Sequence, residues 1–371
     1  MEFKHIKHRI VAMEGINGRA RMVKRQKKRD PITTEDAPSA DLDYSRSLIV
    51  DHVGFLRKID EMDDEKGDYA ERWVSLAKPV SKALRLPSLA SPPLSQVIVQ
   101  WASRFPHCVG LTEGIQDIFA ISRWSSRPTK IPPILLTGPA GIGKTTVAIE
   151  LARILGVPSH VELMSQASAR FLLTGSTLTW ASGRAGSVLQ LLMRGFGNPV
   201  LVLDELDKSG ASYSSGGGGG AIDEALLGLL EPVTSKAFKD EALDWPIDVS
   251  NVGFIATANE PDRISRPVLS RFITFEVREP TRDELLGVIV PSIYEDLRMD
   301  LGLSGKLDKK LPEELAAKLA ANPRTVRKQL TRLIGRAARE QRATLTVDML
   351  EKKLEDAVKK DNAEIGFLRK G

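Results

Sequence analysis

The sequence predicts an α/β protein: a mostly parallel sheet sandwiched by helices, with an all-helical C-terminal lid and a helical N-terminal extension. Three observations carry this expectation. Short apolar runs at 134–136, 199–203, 252–257 and 272–277 alternate with stretches of helical period, as strands joined by helical crossovers do. A glycine-rich turn follows the first run and opens a helical stretch. After Glu279, Pro280 and Thr281 the strand-like runs stop, and helical periodicity takes over.

In chain order, residues 1–45 are basic, then acidic, with no clear apolar period, and read as a largely disordered tail. In 46–94, Ile49, Val53, Leu56 and Ile59 fall at helical spacing, and Trp73, Leu76, Ala77, Val80 and Leu84 mark a second helix. The proline- and serine-rich stretch 86–93 reads as a linker. This extension pads the main domain or binds a partner. Residues 95–280 form the large α/β subdomain, starting with a helix over 97–105. Gly216 to Gly220 lie in a Ser/Gly-rich stretch with too little side chain to pack, which reads as a mobile loop. The lid, 281–371, holds helices over 282–297, 312–320, 323–340 and 347–359. Pro312 and Pro323 stand where a missing N–H costs little.

With 371 residues and 42% hydrophobic content, the chain can build two or three cores. Cys108 is the single cysteine, so no intramolecular disulfide forms, in keeping with a cytoplasmic location. The five histidines lack the spacing of a zinc site. No apolar run is long enough to span a membrane. The formal net charge is +5, with Lys24, Arg25, Lys27, Lys28 and Arg29 nearly contiguous. Such a run binds nucleic acid in some proteins and is more often a solvated tail.

Gly138, Pro139, Ala140, Gly141, Ile142, Gly143, Lys144 and Thr145 fit G-x-x-x-x-G-K-[ST] between a strand-like run and the helix that Thr146 continues. In that context backbone N–H groups wrap a phosphate chain at a helix N-terminus. Lys144 faces the β/γ phosphates and the Thr145 hydroxyl ligates Mg²⁺, so ATP with Mg²⁺ is the expected ligand. The run 200–203 ends in Asp204 and Glu205. In a doubly wound sheet that end lies beside the phosphate loop. Asp204 then joins the Mg²⁺ shell and Glu205 polarises the attacking water, in a reaction governed by positioning and charge. Asn259 ends the next run and orients that water. Arg324 begins a lid helix and reaches the γ-phosphate from above. Arg271, read alone, is a surface arginine.

These motifs resemble the AAA+ ATPases and, within them, the ATPase module of the Lon proteases, over about 105–345. The resemblance rests on the phosphate loop, on 203–208 and 256–259, and on 226–232, which is similar to the helix after Walker B in Lon. It implies that Asn259 is sensor 1, Arg271 an arginine finger acting on the neighbouring subunit, and Arg324 sensor 2. It implies that Val109 and Gly110 line the adenine pocket. The segment 178–190 resembles Lon's first pore loop, with Trp180 as the substrate-gripping aromatic; the competing reading is a core tryptophan. After the lid no room remains for a Lon-type peptidase domain, so the expectation is a Lon-like motor without its own protease. The implied partners are further copies of itself, as a hexamer, a protein substrate, and a separate protease or adaptor. Two other readings stand beside it: a DNA-linked loader or branch-migration motor, and an ATP-dependent assembly switch or scaffold.

Overall fold

The computed structural model describes residues 44–65, 67–87, 92–125, 130–166, 169–209, 219–319 and 321–350. The expected tail up to 43, the linker over 88–91, Gly216 to Gly218, and the last helix beyond 350 lie outside the described residues. Among the described residues, no helix is long and apolar enough to cross a membrane.

The N-terminal extension departs from its predicted form. A strand, β1 (Tyr44–Ser47), replaces the end of the expected tail and the start of the expected helix. Helix α1 (His52–Asp64) begins five residues later than Ser47, and α2 (Asp68–Val80) follows. Strand β2 (Leu84–Pro87) then takes residues read as a helix end and a linker, pairing antiparallel with β1. In α1 the buried stripe is Phe55, Ile59 and Met62, whereas Val53 is 71% exposed. The stripe turns toward Phe55 because its ring packs at 5.9 Å from Trp73 and 5.4 Å from Trp245, and an aromatic has more apolar area to bury than valine. Trp73 Nε1 donates to the Leu243 carbonyl (2.8 Å), and the Asp248 N–H donates to the Ile49 carbonyl (2.6 Å). Phe55, Trp73 and Ala77 share one core with Leu201, Leu203 and Phe254 of the sheet. The extension is a layer of the large subdomain.

Helices α3 (Pro92–Arg104) and α4 (Val109–Ser125) lead to β3 (Ile134–Thr137) and α5 (Lys144–Ile154). Then come β4 (Ser159–Leu163), α6 (Ala169–Thr174), α7 (Ser187–Leu192) and β5 (Val200–Asp204). Helix α8 (Gly219–Leu230) starts inside the polyglycine run, so Gly219 and Gly220 are helical rather than loop. A short ribbon, β6 (Phe238–Lys239) with β7 (Pro246–Ile247), precedes β8 (Gly253–Ala258), α9 (Arg266–Leu269) and β9 (Ile273–Glu276). The five-stranded sheet has the order β4-β5-β8-β3-β9, with every pair parallel. Its strands alternate faces: Leu135, Leu201, Leu203, Phe254 and Ala256 point to one core, Ile134, Leu136, Val200, Val202 and Ile255 to the other. The sequence reading missed β4. As an edge strand paired only with β5, it carries His160 and Glu162 and shows no continuous apolar run.

The lid opens with α10 (Arg282–Glu284), which passes through a π turn at Leu285–Ile289 into α11 (Val290–Asp300), followed by α12 (Glu313–Leu319) and α13 (Pro323–Glu340). It has its own core, including Val290, Tyr294, Leu315, Val326 and Leu330. Its hinge is pinned by Glu284, which closes a capping box with Thr281 and accepts from both Arg278 Nη atoms (2.6 and 2.8 Å).

Two expectations follow. Trp73→Ala should cost about 3–5 kcal/mol and lower the urea midpoint of the whole large subdomain, followed by circular dichroism, because its core is shared. The Arg278 guanidinium, with the Thr281 N–H, holds the Glu284 carboxyl down at about 2 against an ordinary 4.5. A depressed folded-state pKa stabilises above the unfolded value, and that stabilisation fades as pH falls from about 4.5 toward 2. The difference in melting temperature between wild type and Glu284→Gln should be constant above about pH 5.5 and shrink through that window.

Candidate active site

The parallel register brings the chemistry to one edge. Strands β5, β8 and β3 are neighbours, so Asp204, Asn259 and the loop after Thr137 emerge side by side at their C-terminal ends. The loop needs glycine at its first position: Gly138 has φ 143°, and a Cβ there would meet the Val277 carbonyl oxygen at 2.2 Å. Gly143, at φ 105°, turns the chain into α5.

Lys144 is 6% exposed. Its Nζ donates to the carbonyls of Gly138 (2.7 Å) and Pro139 (2.8 Å) and to Asn259 Oδ1 (2.7 Å). Burial pushes its pKa below the ordinary lysine value, opposed by Asp207 and Asp204. One oxygen of Asp204 accepts two hydroxyls, Thr145 Oγ1 (2.6 Å) and Thr257 Oγ1 (2.7 Å). Thr257 Oγ1 in turn accepts the Glu205 N–H (3.0 Å). Glu205 sits at φ 57°, the left-handed region that a non-glycine residue adopts at some energetic cost. Its carboxylate is 2.6 Å from Lys208 Nζ. Asp207, buried behind them, accepts the N–H groups of Asn259 and Glu260 (both 3.0 Å) and so fixes the end of β8.

A cleft of about 360 Å³ runs from this edge to the lid. Ala140 to Thr146, Asp204, Glu205, Thr257, Asn259 and Arg324 line it. Arg324 opens α13 and its N–H donates to the Gly141 carbonyl (3.3 Å), so the lid helix starts directly over the phosphate loop. Its N-cap is Asn322, whose side chain accepts the Thr325 N–H. Phe105, His107, Ile289 and Ile293 line the cleft as well. His107 is buried beside the Ile142 backbone, and burial lowers its pKa. A neutral imidazole there offers one donor and one acceptor. Val109 and Gly110, expected at the adenine pocket, do not line the cleft. Val109 is 54% exposed at the start of α4 and Gly110 faces Phe275, whereas Phe105 and His107, just upstream, are among the lining residues.

Residues 134–279 match the family model described as ATPase family associated with various cellular activities, AAA. That segment holds the loop after β3, Asp204, Glu205 and Asn259, and over it the chain is similar to AAA ATPases. The curated relatives of this chain include a Lon protease of Methanosarcina barkeri, 36% identical over 172 residues, which are 45% of this chain and 21% of that protein. A Lon protease of Clostridium beijerinckii is 34% identical over 233 residues, 60% of this chain and 28% of that one. The chain thus spans less than a third of the length of these relatives. Among solved structures, Thermotoga maritima RuvB, a Holliday junction branch migration motor, aligns with a TM-score of 0.41 at 17% identity over 66% of this chain and 68% of that one.

Two sequence-predicted residues of the matched segment lie away from the cleft. Arg271 donates to the Pro267 carbonyl (2.8 Å) and to Glu231 (3.0 Å) and does not line the cleft. Trp180 is 67% exposed, which rules out a core tryptophan. Sequence reasoning missed Thr257, Asp207 and His107. Thr257 and Asp207 stood inside motifs already singled out, but only the strand register shows that they meet Asp204 and Asn259.

Thr257→Val keeps the shape and deletes the hydroxyl that bridges Asp204 and the Glu205 N–H. It should cost about 1–3 kcal/mol in urea unfolding and lower steady-state ATP turnover at least tenfold, measured by phosphate release.

Proposed function

We propose that this chain is a Lon-like, ring-forming AAA motor, a hexamer of the cytoplasm, that uses Mg²⁺-ATP turnover to remodel or unfold protein clients through a central pore. The observation that carries this reading is Trp180, exposed at the tip of a loop closed by the Ser176–Arg184 bridge. A large flat apolar ring held out in solvent grips an extended peptide without reading its sequence.

The residues at the cleft fit the nucleotide. Mg²⁺ keeps several waters and needs one or two protein oxygens besides phosphate; Thr145 and Asp204 supply hydroxyl and carboxylate oxygens in contact with each other. When bound, Mg²⁺-ATP supplies the transferable phosphoryl group and neutralises its charge. The chain does the rest. Lys144 presents a desolvated ammonium, and Asn259 holds it in line with the loop. Thr145 and Thr257 lock the Asp204 carboxylate, and Arg324 brings a lid cation to the same space. Glu205 takes up the proton of the attacking water once its carboxylate is released from Lys208. Phe105, Ile289 and Ile293 form a flat apolar seat for the base, with His107 as its polar contact. Arg271, outside its own cleft, would serve the nucleotide of a neighbouring copy once released from Glu231.

Glu205→Gln should keep ATP affinity within about threefold, measured by titration calorimetry, and stop turnover. Loaded with ATP, the same variant should retain its client; protein in the captured material supports the motor reading, and nucleic acid replaces it with a DNA-linked one. Trp180→Ala should retain assembly and ATP turnover without client and lose client remodelling. A mixture of Arg271→Ala and Lys144→Ala subunits should regain ATPase activity that neither has alone, since an interface can pair an intact cleft with an intact arginine. Its absence in subunits shown to co-assemble overturns the role of Arg271 across the interface.

A further inference from the structure

The loop that presents Trp180 is held by a residue far away in the chain. Arg72, on α2, extends its guanidinium out of the N-terminal layer toward residues 178–183. Nη1 donates to the carbonyls of Leu178 (3.4 Å) and Trp180 (3.2 Å), and Nη2 to the carbonyl of Gly183 (2.5 Å). Nη1 also lies 3.4 Å from Asp68, one turn back on the same helix.

Three carbonyls converge on one side chain because the loop doubles back. The Gly183 N–H donates to the Trp180 carbonyl (2.8 Å), and the Ser176 N–H donates to the Arg184 carbonyl (2.8 Å). Gly183 admits no side chain here, since a Cβ would stand 2.0 Å from the Thr177 carbonyl oxygen. The root of the loop is fixed separately. Asp240, fully buried, accepts the N–H groups of Gly186 (2.8 Å) and Ala242 (2.9 Å). Between Leu178, which is buried in the core, and Gly183, the tip residues Thr179, Trp180, Ala181 and Ser182 are exposed. What ties this tip to α2 is the planar, multiply donating guanidinium, which can address several carbonyls at once as a single ammonium cannot. With its carbonyls turned toward α2, the loop leaves the Trp180 ring in solvent.

We propose that Arg72 is a positioning residue for client engagement: it holds the Trp180 loop in its gripping form and makes the N-terminal layer part of the grip. This rests on the reading of Trp180 as the residue that grips client. The layer carrying Arg72 is itself seated on the large subdomain through Trp73, its neighbour in α2, so the anchor has a fixed base.

The test uses the full chain with Mg²⁺-ATP and a carboxymethylated, permanently unfolded protein as client. Hydrogen exchange of the peptide containing Gly183 reports loop order. The client concentration that half-stimulates ATP turnover reports engagement. In Arg72→Ala, exchange at this peptide should quicken about tenfold or more, as expected when a charged donor is withdrawn from several acceptors. Half-stimulation should need at least about fivefold more client, with turnover at saturating client retained. A merely structural role would lower both together. Arg72→Lys keeps the charge and the aliphatic stem and guards against a folding defect; it should fall between the two. Asp68→Ala, which removes only the partner on the same helix, should leave loop exchange as in wild type.

Wild-type exchange in Arg72→Ala overturns the proposal. So does quickened exchange with unchanged client half-stimulation, where Trp180→Ala abolishes stimulation. If exchange quickens and neither Arg72→Ala nor Trp180→Ala alters client handling, the anchor stands and the grip reading of Trp180 fails instead.

Discussion

An ammonium taken out of water must be met by oxygen atoms, and the active edge of this protein is arranged around meeting that of Lys144. Two of its partners are carbonyls of its own loop and the third is the Asn259 side chain at the end of β8. Asn259 is in turn placed by Asp207, which accepts the N–H groups of Asn259 and Glu260. The buried cation therefore ties the phosphate loop to the neighbouring strand, and that strand to the turn after β5. The negative side of the site is organised in the same manner, with two threonine hydroxyls converging on one oxygen of Asp204. Charge compensation across β5, β8 and β3 makes these residues one site.

The same edge is coupled to parts of the molecule that supply no chemistry. Arg104, at the end of α3, reaches both the lid, through Asp296 (2.7 Å), and the phosphate-loop helix, through Glu150 (3.7 Å). Arg324 binds the phosphate loop through its backbone N–H. Base and lid therefore meet at the cleft. On the opposite side, α1 and α2 complete the core beneath β5 and β8 and extend Arg72 to the Trp180 loop.

Much of the fold was legible because its signals are local. Four of the five sheet strands, β3, β5, β8 and β9, lie in largely apolar runs of the sequence, and α13 begins at Pro323 as its N1 signal indicates. The failures share one cause. Strand β4, the β1–β2 ribbon and the burial of Phe55 in place of Val53 each depend on a partner distant in sequence: β5 for the first, residues 84–87 for the second, Trp73 and Trp245 for the third. That Phe105 and His107 line the cleft likewise follows from where α3 ends relative to the lid.

By itself, the sequence determined the phosphate loop, the paired carboxylates after an apolar strand, the parallel α/β class and the helical lid, because each rests on residue type and spacing within a few turns of chain. The tertiary structure alone decided that Thr257 locks Asp204, that Glu205 is paired with Lys208 at a left-handed backbone angle, and that Trp180 stands in solvent instead of in the core. It alone joined Arg72 to the loop of Trp180, across 108 residues of chain. The reason is physical: hydrogen bonds and burial act between neighbours in space, and strand register and helix packing, which make those neighbours, are properties of the whole chain.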